Sequence, residues 1–364
     1  MSEFSATDHA HMARALRLAE RGAWTTKPNP LVGCVIAHGE EVVGEGFHQF
    51  AGQPHAEVFA LRQAGERAHG ATAYVTLEPC AHTGRTGPCA DALVAAGVSR
   101  VVAAMRDPFP QVDGAGFERL QAAGIAVQVG LLEAQVRELN RGFISHVVRG
   151  RPWVRVKLGA SVDGRTAMAS GQSKWITGAA ARADVQRWRA RAGAILTGAR
   201  TVIADDPSLT ARPEEDGPFV PPVRVVLDAA LSSLDHVRVQ EGNAPTLYLH
   251  GPLATPVADH DHVRYQQMPL LDGCLDLRAV LDALAQHRIC EVQVEAGATL
   301  SGALLAAGLV DELLLYVAPT LLGDGARPLL SHLNIAALAE QHRLHVVDER
   351  KVGTDLRLLL RPVR

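Results

Sequence analysis

The sequence predicts an α/β protein built from two consecutive domains. Its 364 residues are more than one hydrophobic core usually organises. Both halves alternate short apolar runs with helical segments, the pattern of a sheet covered on both faces. A turn-rich break at Arg149-Gly150-Arg151-Pro152 separates a predicted helix from a new apolar run, Trp153 to Leu158. The expected domains are residues 1–148 and 149–364.

In the first half, His9 to Arg21 reads as an amphipathic helix with Ala10, Ala13, Leu16 and Leu18 near one face. Pro28 and Pro30 punctuate the chain ahead of a strand from Leu31 to Ala37, and a second strand runs from Val42 to Phe47. The run from His55 to Ala64 reads as a helix ended by Gly65. A strand from Ala73 to Leu77 stops at Glu78-Pro79. Pro88 suits the first turn of a helix that continues through Cys89 and ends at Gly97. A strand at Val101–Ala104, a helix–strand pair ending near Val129 and a helix from about Glu133 to His146 complete the domain. Gly114-Ala115-Gly116 follows no strong strand and lies beyond Pro108 and Pro110, so it does not read as a phosphate loop.

The second half predicts strands at Trp153–Leu158, Ala194–Thr197 and Glu291–Glu295, with helices over Ala179–Ala192 and Thr299–Ala307. Its last apolar runs, Glu312–Val317, Arg343–Val347 and Leu356–Leu360, have no long helix between them, which implies a mixed sheet edge.

Composition narrows the function. Hydrophobic residues make up 47% and charged residues 21%, as in ordinary globular proteins. The net charge of −3 divides into −2 for residues 1–149 and −1 for the remainder. Neither half is basic, and aromatic residues are only 4%. That argues against the basic groove and stacking platform of a nucleic-acid-editing deaminase. The N-terminus carries no basic-plus-apolar signal, and no apolar run reaches membrane-span length, so a cytoplasmic location is expected. Five cysteines at irregular spacing suit a reducing compartment.

The chemistry is concentrated in His55-Ala56-Glu57 and Pro79-Cys80, followed by Cys89. One imidazole and two thiolates are a three-ligand zinc set that leaves the fourth position open to water, and zinc lowers the pKa of such a water toward neutrality. Glu57 is placed to move the proton. A cysteine at a helix start favours the thiolate form. The pattern is that of zinc nucleobase deaminases, except that eight residues separate the cysteines here instead of two. The remaining three cysteines, Cys34, Cys274 and Cys290, are expected to be reduced core residues. A purely structural zinc would need a fourth ligand, for which His82 is the nearest candidate. In the second half, the strand–turn–helix at Glu291 to Ala307 offers free backbone N–H groups to a phosphate, although many α/β turns look like this. Lys157, Asp163, Ser173, Trp175, Arg189, Thr201, Asp205 and Arg212 gather at predicted strand ends and loops, where open sheets bind ligands.

Four motifs together resemble a known family. They are His55-Ala-Glu57, Pro79-Cys80 through Cys89, Lys157-Leu-Gly-Ala-Ser-Val-Asp163 through Thr177, and Ala204-Asp-Asp-Pro-Ser-Leu-Thr-Ala-Arg212. The chain is similar to the bifunctional deaminase/reductases of riboflavin biosynthesis, in their domain order. The resemblance implies a cytidine-deaminase-like α/β/α domain followed by a dihydrofolate-reductase-like α/β domain. It implies zinc in the first and NADPH in the second. The implied reactions are hydrolytic deamination of 2,5-diamino-6-(5-phosphoribosylamino)pyrimidin-4(3H)-one and reduction of the product's ribosyl group to ribityl. It implies pyrimidine contacts from Asn29, His48 and His82. NADP contacts would come from Gly159, Trp175, Thr201, Asp205 and the segment Gly297, Ala298, Thr299, Leu300, Ser301, Gly302 and Ala303. Substrate contacts would come from Ser173, Arg189, Leu209, Arg212 and Glu295, with Lys157 and Asp163 beside them. Ala296 stands where a second glycine is usual. The partner implied is a small pyrimidine nucleotide, with neither nucleic acid nor membrane, in a homo-oligomer (dimer or tetramer) joined through the reductase domains.

Overall fold

The computed structural model describes residues 4–81, 87–110, 113–215 and 217–363. The chain divides into two compact units, residues 1–150 and 151–364. The division follows Gly150, whose left-handed φ of 68° ends the last helix of the first unit.

The first unit runs α1 (Ala6–Glu20), β1 (Gly33–His38), β2 (Glu41–Phe47), α2 (Ala56–Ala64), β3 (Thr72–Val75), α3 (Cys89–Ala95), β4 (Arg100–Ala103), α4 (Ala115–Ala122), β5 (Ala126–Val129), α5 (Glu133–Leu139) and α6 (Arg141–Arg149). Among the described residues the strands form one sheet in the order β2-β1-β3-β4-β5. The first three are antiparallel neighbours, whereas β3, β4 and β5 run parallel. Alternation along β1 sends Cys34 and Ile36 into a core with α2, α3 and α4. Val35 and Ala37 enter the opposite core with α1 and α5. The unit is therefore an α/β/α sandwich.

Two helices differ from expectation. α1 begins three residues earlier than His9 because Ser5 and Asp8 form a capping box. Its buried stripe is Asp8, His11, Met12, Ala15, Leu18 and Ala19, while Ala10 is exposed. Asp8 is buried because Arg100, Tyr74 and Ser5 satisfy it, and His11 because its Nε2 bonds the Gly39 carbonyl. The expected helix from Glu133 to His146 is two. Asn140 breaks it at φ −102°, ψ 19°, and its side-chain amide pairs with both backbone groups of Leu31 at 2.7 and 3.0 Å.

The second unit runs β6 (Trp153–Ser161), β7 (Arg165–Ala167), α7 (Ala179–Arg191), β8 (Ala194–Gly198), α8 (Ala199–Asp205), β9 (Val223–Leu227), β10 (Thr246–His250), β11 (Val263–Gln267), β12 (Leu270–Leu271), β13 (Cys274–Leu275), α9 (Leu277–Gln286), β14 (Glu291–Val294), α10 (Ala298–Ala306), β15 (Glu312–Ala318), β16 (Arg327–Pro328), β17 (Leu344–Val352) and β18 (Asp355–Pro362). Among the described residues its main sheet is β11-β10-β9-β8-β14-β6-β15-β18-β17. The strands from β11 to β15 are mutually parallel, and the β17–β18 hairpin adds an antiparallel edge. α9 and α10 cover one face, and α7 and α8 cover the other. Thr201 and Asp205 lie on α8 and not in a loop. Val202 anchors that helix in the core and Asp206, at φ 40°, ends it. Of the three cysteines expected in cores, only Cys34 is buried, Cys290 is partly so and Cys274 is exposed.

In the first unit the strand carrying Gly44 and Gly46 meets α2 at very short range. A Cβ at Gly46 would lie 2.6 Å from the Ala56 carbonyl oxygen and 2.6 Å from the Phe59 Cβ. This contact seats the start of α2. Gly46→Ala is expected to destabilise the first unit by about 1–3 kcal/mol through overpacking, measured as a lower denaturant midpoint for its unfolding transition.

Candidate active sites

The first site assembles at three element ends. His55 is the N-cap of α2, Cys80 follows the turn after β3, and Cys89 opens α3. Their donor atoms lie within 4.8 Å of one another. His55 Nδ1 is 3.5 Å from Cys80 Sγ and 3.3 Å from Cys89 Sγ. Tetrahedral zinc with ordinary bond lengths separates a sulfur from a nitrogen ligand by about 3.6 Å, so the set fits zinc. The Cys89 amide donates to Cys80 Sγ at 3.4 Å. A hydrogen bond from the Cys89 thiol, with help from His55, holds the Cys80 thiol well below the usual thiol range, and the same bond pushes Cys89 up. The Cys80 interaction also raises His55.

Glu57, in the first turn of α2, is 3% exposed. Its Oε2 has no hydrogen-bond partner among the described residues. Burial pushes its carboxyl up to about 7 despite the opposing pull of His55. A buried carboxylate with an open oxygen can take up and return a proton. His48 stands edge-on to His55, with ring centroids 5.4 Å apart. Its Nδ1 is 3.2 Å from the Pro54 carbonyl and its Nε2 is 3.1 Å from Asn29 Nδ2. Those partners suit a neutral ring that donates from Nδ1 and accepts at Nε2, and burial lowers its pKa accordingly. The fold thus brings Asn29 and His48 to the metal set. His82 lies outside the described residues.

Glu78 was not a candidate in the sequence. It is 4% exposed, and its carboxylate accepts backbone N–H bonds from Asp107, Gly114 and Gly116 at 3.2, 3.0 and 2.9 Å. The glycine pair that looked inert therefore abuts the turn before Cys80. A carboxylate immediately ahead of a Pro-Cys ligand, with no nearby cation in sequence, was the signal that could have found it.

The second site lies at the C-terminal ends of β8 and β14. Glu295 accepts two bonds from Arg189, Nε to Oε1 and Nη2 to Oε2, each 2.7 Å, and one from Gln293 at 2.8 Å. Arg189 also donates to the Thr210 carbonyl. Burial alone would raise Glu295, but Arg189 and Lys157 overcome it and hold the carboxyl down to about 2. Burial also pulls Lys157 below the usual ammonium range, against the attraction of Glu295. Gly159 places its backbone beside Lys157 and Thr177, since a Cβ there would be 3.3 Å from Thr177 Cγ2 and 3.9 Å from Lys157 Nζ. Trp175 is 70% exposed beneath the Arg182 guanidinium, 4.5 Å from the ring centre. Ser173 is half-buried in the same loop.

Other candidates divide by what their side chains already touch. Asp163 spends its carboxylate on Ser161 Oγ at 2.5 Å and on the amides of Leu322 and Gly323, so it anchors a turn. Leu209 is buried in the α8-side core, leaving only its backbone for a ligand. Arg212 is exposed, as is Asp205. In the turn before α10, Gly297 opens onto free space. Ser301 and Gly302 face inward: Ser301 is fully buried, and a Cβ at Gly302 would meet the Ser331 carbonyl oxygen at 1.8 Å. Ala296 packs against the core of the second unit.

Comparison with known proteins agrees with this geometry. Residues 5–105 match the cytidine and deoxycytidylate deaminase zinc-binding region, and residues 152–358 match the RibD C-terminal domain. The chain is 50% identical to riboflavin biosynthesis protein RibD of Escherichia coli over 367 residues, covering 97% of this chain and 99% of that protein. The chain belongs to the RibD family. The Haemophilus influenzae RibD is 46% identical, covering 100% and 99% of the two chains. The Acinetobacter baumannii RibD structure superposes with a TM-score of 0.90 at 46% identity, covering 98% and 99%. A Thermotoga maritima structure described as a diaminohydroxyphosphoribosylaminopyrimidine deaminase/5-amino-6-(5-phosphoribosylamino)uracil reductase gives 0.88 at 32% identity, covering 98% and 99%. As a RibD protein, the chain is a bifunctional deaminase and reductase of riboflavin biosynthesis, using zinc and NADPH. Among the described residues no helix is long and apolar enough to cross a membrane.

The Arg189–Glu295 pair carries a pH signature. Glu295 sits at about 2 when folded against 4.5 for the free side chain. Its ionised form is the stabilised one, so its contribution is complete above the free value and is lost as pH falls through the folded one. The shift is worth on the order of 3 kcal/mol. Denaturant midpoints taken from about pH 6 down to about pH 2.5 should fall more steeply for wild type than for Glu295→Gln. Equal slopes would exclude this carboxylate as the source.

Proposed function

We propose that His55, Cys80 and Cys89 hold the zinc, that Glu57 is the proton carrier, and that the substrate is 2,5-diamino-6-(5-phosphoribosylamino)pyrimidin-4(3H)-one. The observation that carries this reading is the three-donor set at tetrahedral spacing beside a buried carboxylate with one oxygen unpaired among the described residues. Zinc held by these three residues would supply a water of near-neutral pKa. Glu57 accepts the proton of the attacking water and delivers it to the departing amine, which leaves as ammonia. Asn29 and His48 orient the pyrimidine edge. A carboxylate two residues from a ligand, fixed in a helical first turn, needs little rearrangement to do this.

The second unit takes the resulting 5-amino-6-(5-phosphoribosylamino)uracil. NADPH supplies the two-electron reducing power that turns ribosyl into ribityl. We assign its phosphates to the opening at Gly297 and the first amides of α10, where unpaired N–H groups favour anions. Trp175, Gly159, Thr201 and Asp205 line the cofactor's path, and Ser173, Lys157, Arg212 and the Arg189–Glu295 pair face the substrate. Arg189 positions Glu295, since three of its donors are already used within the chain. A homo-oligomer through the reductase units is supported by β17, an edge strand that exposes Leu344, Val346 and Val347. The enzyme is assigned to the cytoplasm, where its nucleotide substrate and NADPH are made.

Supplying the diaminopyrimidine phosphoriboside should give a mass gain of about one unit without NADPH, and about two more with it, from the two reaction types. Glu57→Gln is expected to lower ammonia release by about 10²-fold or more while reduction of the supplied aminouracil proceeds normally. Ammonia release at the wild-type rate would remove Glu57 from the mechanism.

A further inference from the structure

The eight residues between Cys80 and Cys89 leave the covalent chain a poor ruler for two zinc ligands. In a Cys-x-x-Cys turn the short loop itself sets the sulfur spacing. Here another element touches both sides. Glu78 lies two residues before Cys80, and its backbone N–H bonds the Met105 carbonyl, beyond the end of β4. Its buried carboxylate takes the amides of Asp107, Gly114 and Gly116. Gly114 is the N-cap of α4, so the carboxylate also faces the positive end of that helix. The approach is as close as the backbone allows: a Cβ on Gly116 would lie 1.9 Å from the Pro79 carbonyl oxygen. One turn further along α4, Arg119 donates to the Ala81 carbonyl at 3.2 Å, just past Cys80. The same guanidinium pairs with Asp91, two residues past Cys89 on α3. The Ala90 amide closes the ring onto the Cys80 carbonyl at 3.1 Å.

We infer that α4 is the ruler of the zinc site: Glu78 and Arg119 are positioning residues that hold Cys80 and Cys89 at ligand distance in place of a short Cys-x-x-Cys turn. This rests on the reading of His55, Cys80 and Cys89 as the zinc set. Neither residue touches substrate or the ion. Glu78 matters because a buried carboxylate accepting three main-chain bonds fixes the turn from two sides, and an amide in its place must set its NH₂ against at least one N–H group. Arg119 matters because it joins the segment after Cys80 to the helix of Cys89. Partners behind a metal's ligands typically change its affinity by about 10–100-fold.

The test uses the full-length enzyme. Zinc content of the wild type is measured first, then the rate of zinc transfer to a chromogenic chelator for wild type, Glu78→Gln, Arg119→Met and the double variant. Transfer is expected to quicken by about tenfold in each single variant. The double variant should fall short of the product of the two, because both act on one circuit. Cobalt-substituted Arg119→Met should show a shifted visible spectrum, which loss of stability alone would not produce. The first unit's own denaturant transition reports that it has folded in each variant, and NADPH-dependent reduction, carried by the other unit, serves as the internal standard for enzyme concentration. If Glu78→Gln does not fold, Arg119→Met decides. Wild-type transfer rates and an unchanged cobalt spectrum in folded Arg119→Met would overturn the inference. A wild type that binds no zinc would instead overturn the reading of the ligand set, and this inference with it.

Discussion

Two thiol sulfurs and an imidazole nitrogen within 4.8 Å of one another are the constraint on which the first unit is organised. The three donors come from three separate segments, the start of α2, the turn after β3 and the start of α3, and each segment must arrive at a fixed depth. α2 reaches the sheet closely enough only because β2 offers glycines at 44 and 46. α3 begins at Cys89, so its first amides and its positive end face the Cys80 sulfur. The antiparallel β2-β1-β3 edge places the end of β3 beside the start of α2. The wide spacing of the cysteines is tolerable because the chain has somewhere else to secure them.

The second unit solves a different problem. The face of its sheet beneath α7 is strongly charged. Arg155 and Glu312 are both fully buried and paired at 2.7 Å, with the Arg155 guanidinium 4.3 Å from the centre of the Trp188 ring. Arg361 shares Glu312, and Arg191 pairs with Glu291. Toward the C-terminal ends of the strands the same face carries Lys157 and Glu295, and Arg189 reaches Glu295 from α7. Buried ion pairs add little net stability when compared with apolar packing, but removing one partner costs about 3–5 kcal/mol. The row therefore fixes α7 in register and holds a preorganised carboxylate and ammonium at the C-terminal end of the sheet.

Legibility followed the range of the interaction. The cluster of His55, Cys80 and Cys89 was readable because metal chemistry restricts residue type and because each of the three directly follows a proline, and Glu57 because it stands two residues from His55. Strand and helix order was readable from periodicity. The stripe of α1 was misplaced because Asp8 and His11 are polar, and their burial depends on Arg100, Tyr74 and Gly39, far along the chain. The break at Asn140 was invisible for the same reason: its amide serves Leu31, 109 residues away. α8 was taken for a loop because it is short and carries a single buried anchor, Val202.

By itself the sequence determined the chemistry available: which residues can bind zinc, carry a proton or face a phosphate, and in which order the two units follow. These are properties of residue type and local spacing. Only the tertiary structure decided which polar groups are already spent. It committed Arg189 to Glu295, 106 positions away, turned Asp163 into a turn anchor, and drew Glu78 onto Gly116, 38 positions away. A buried charge takes whichever donor the fold brings to it, and nothing in the local pattern names that donor.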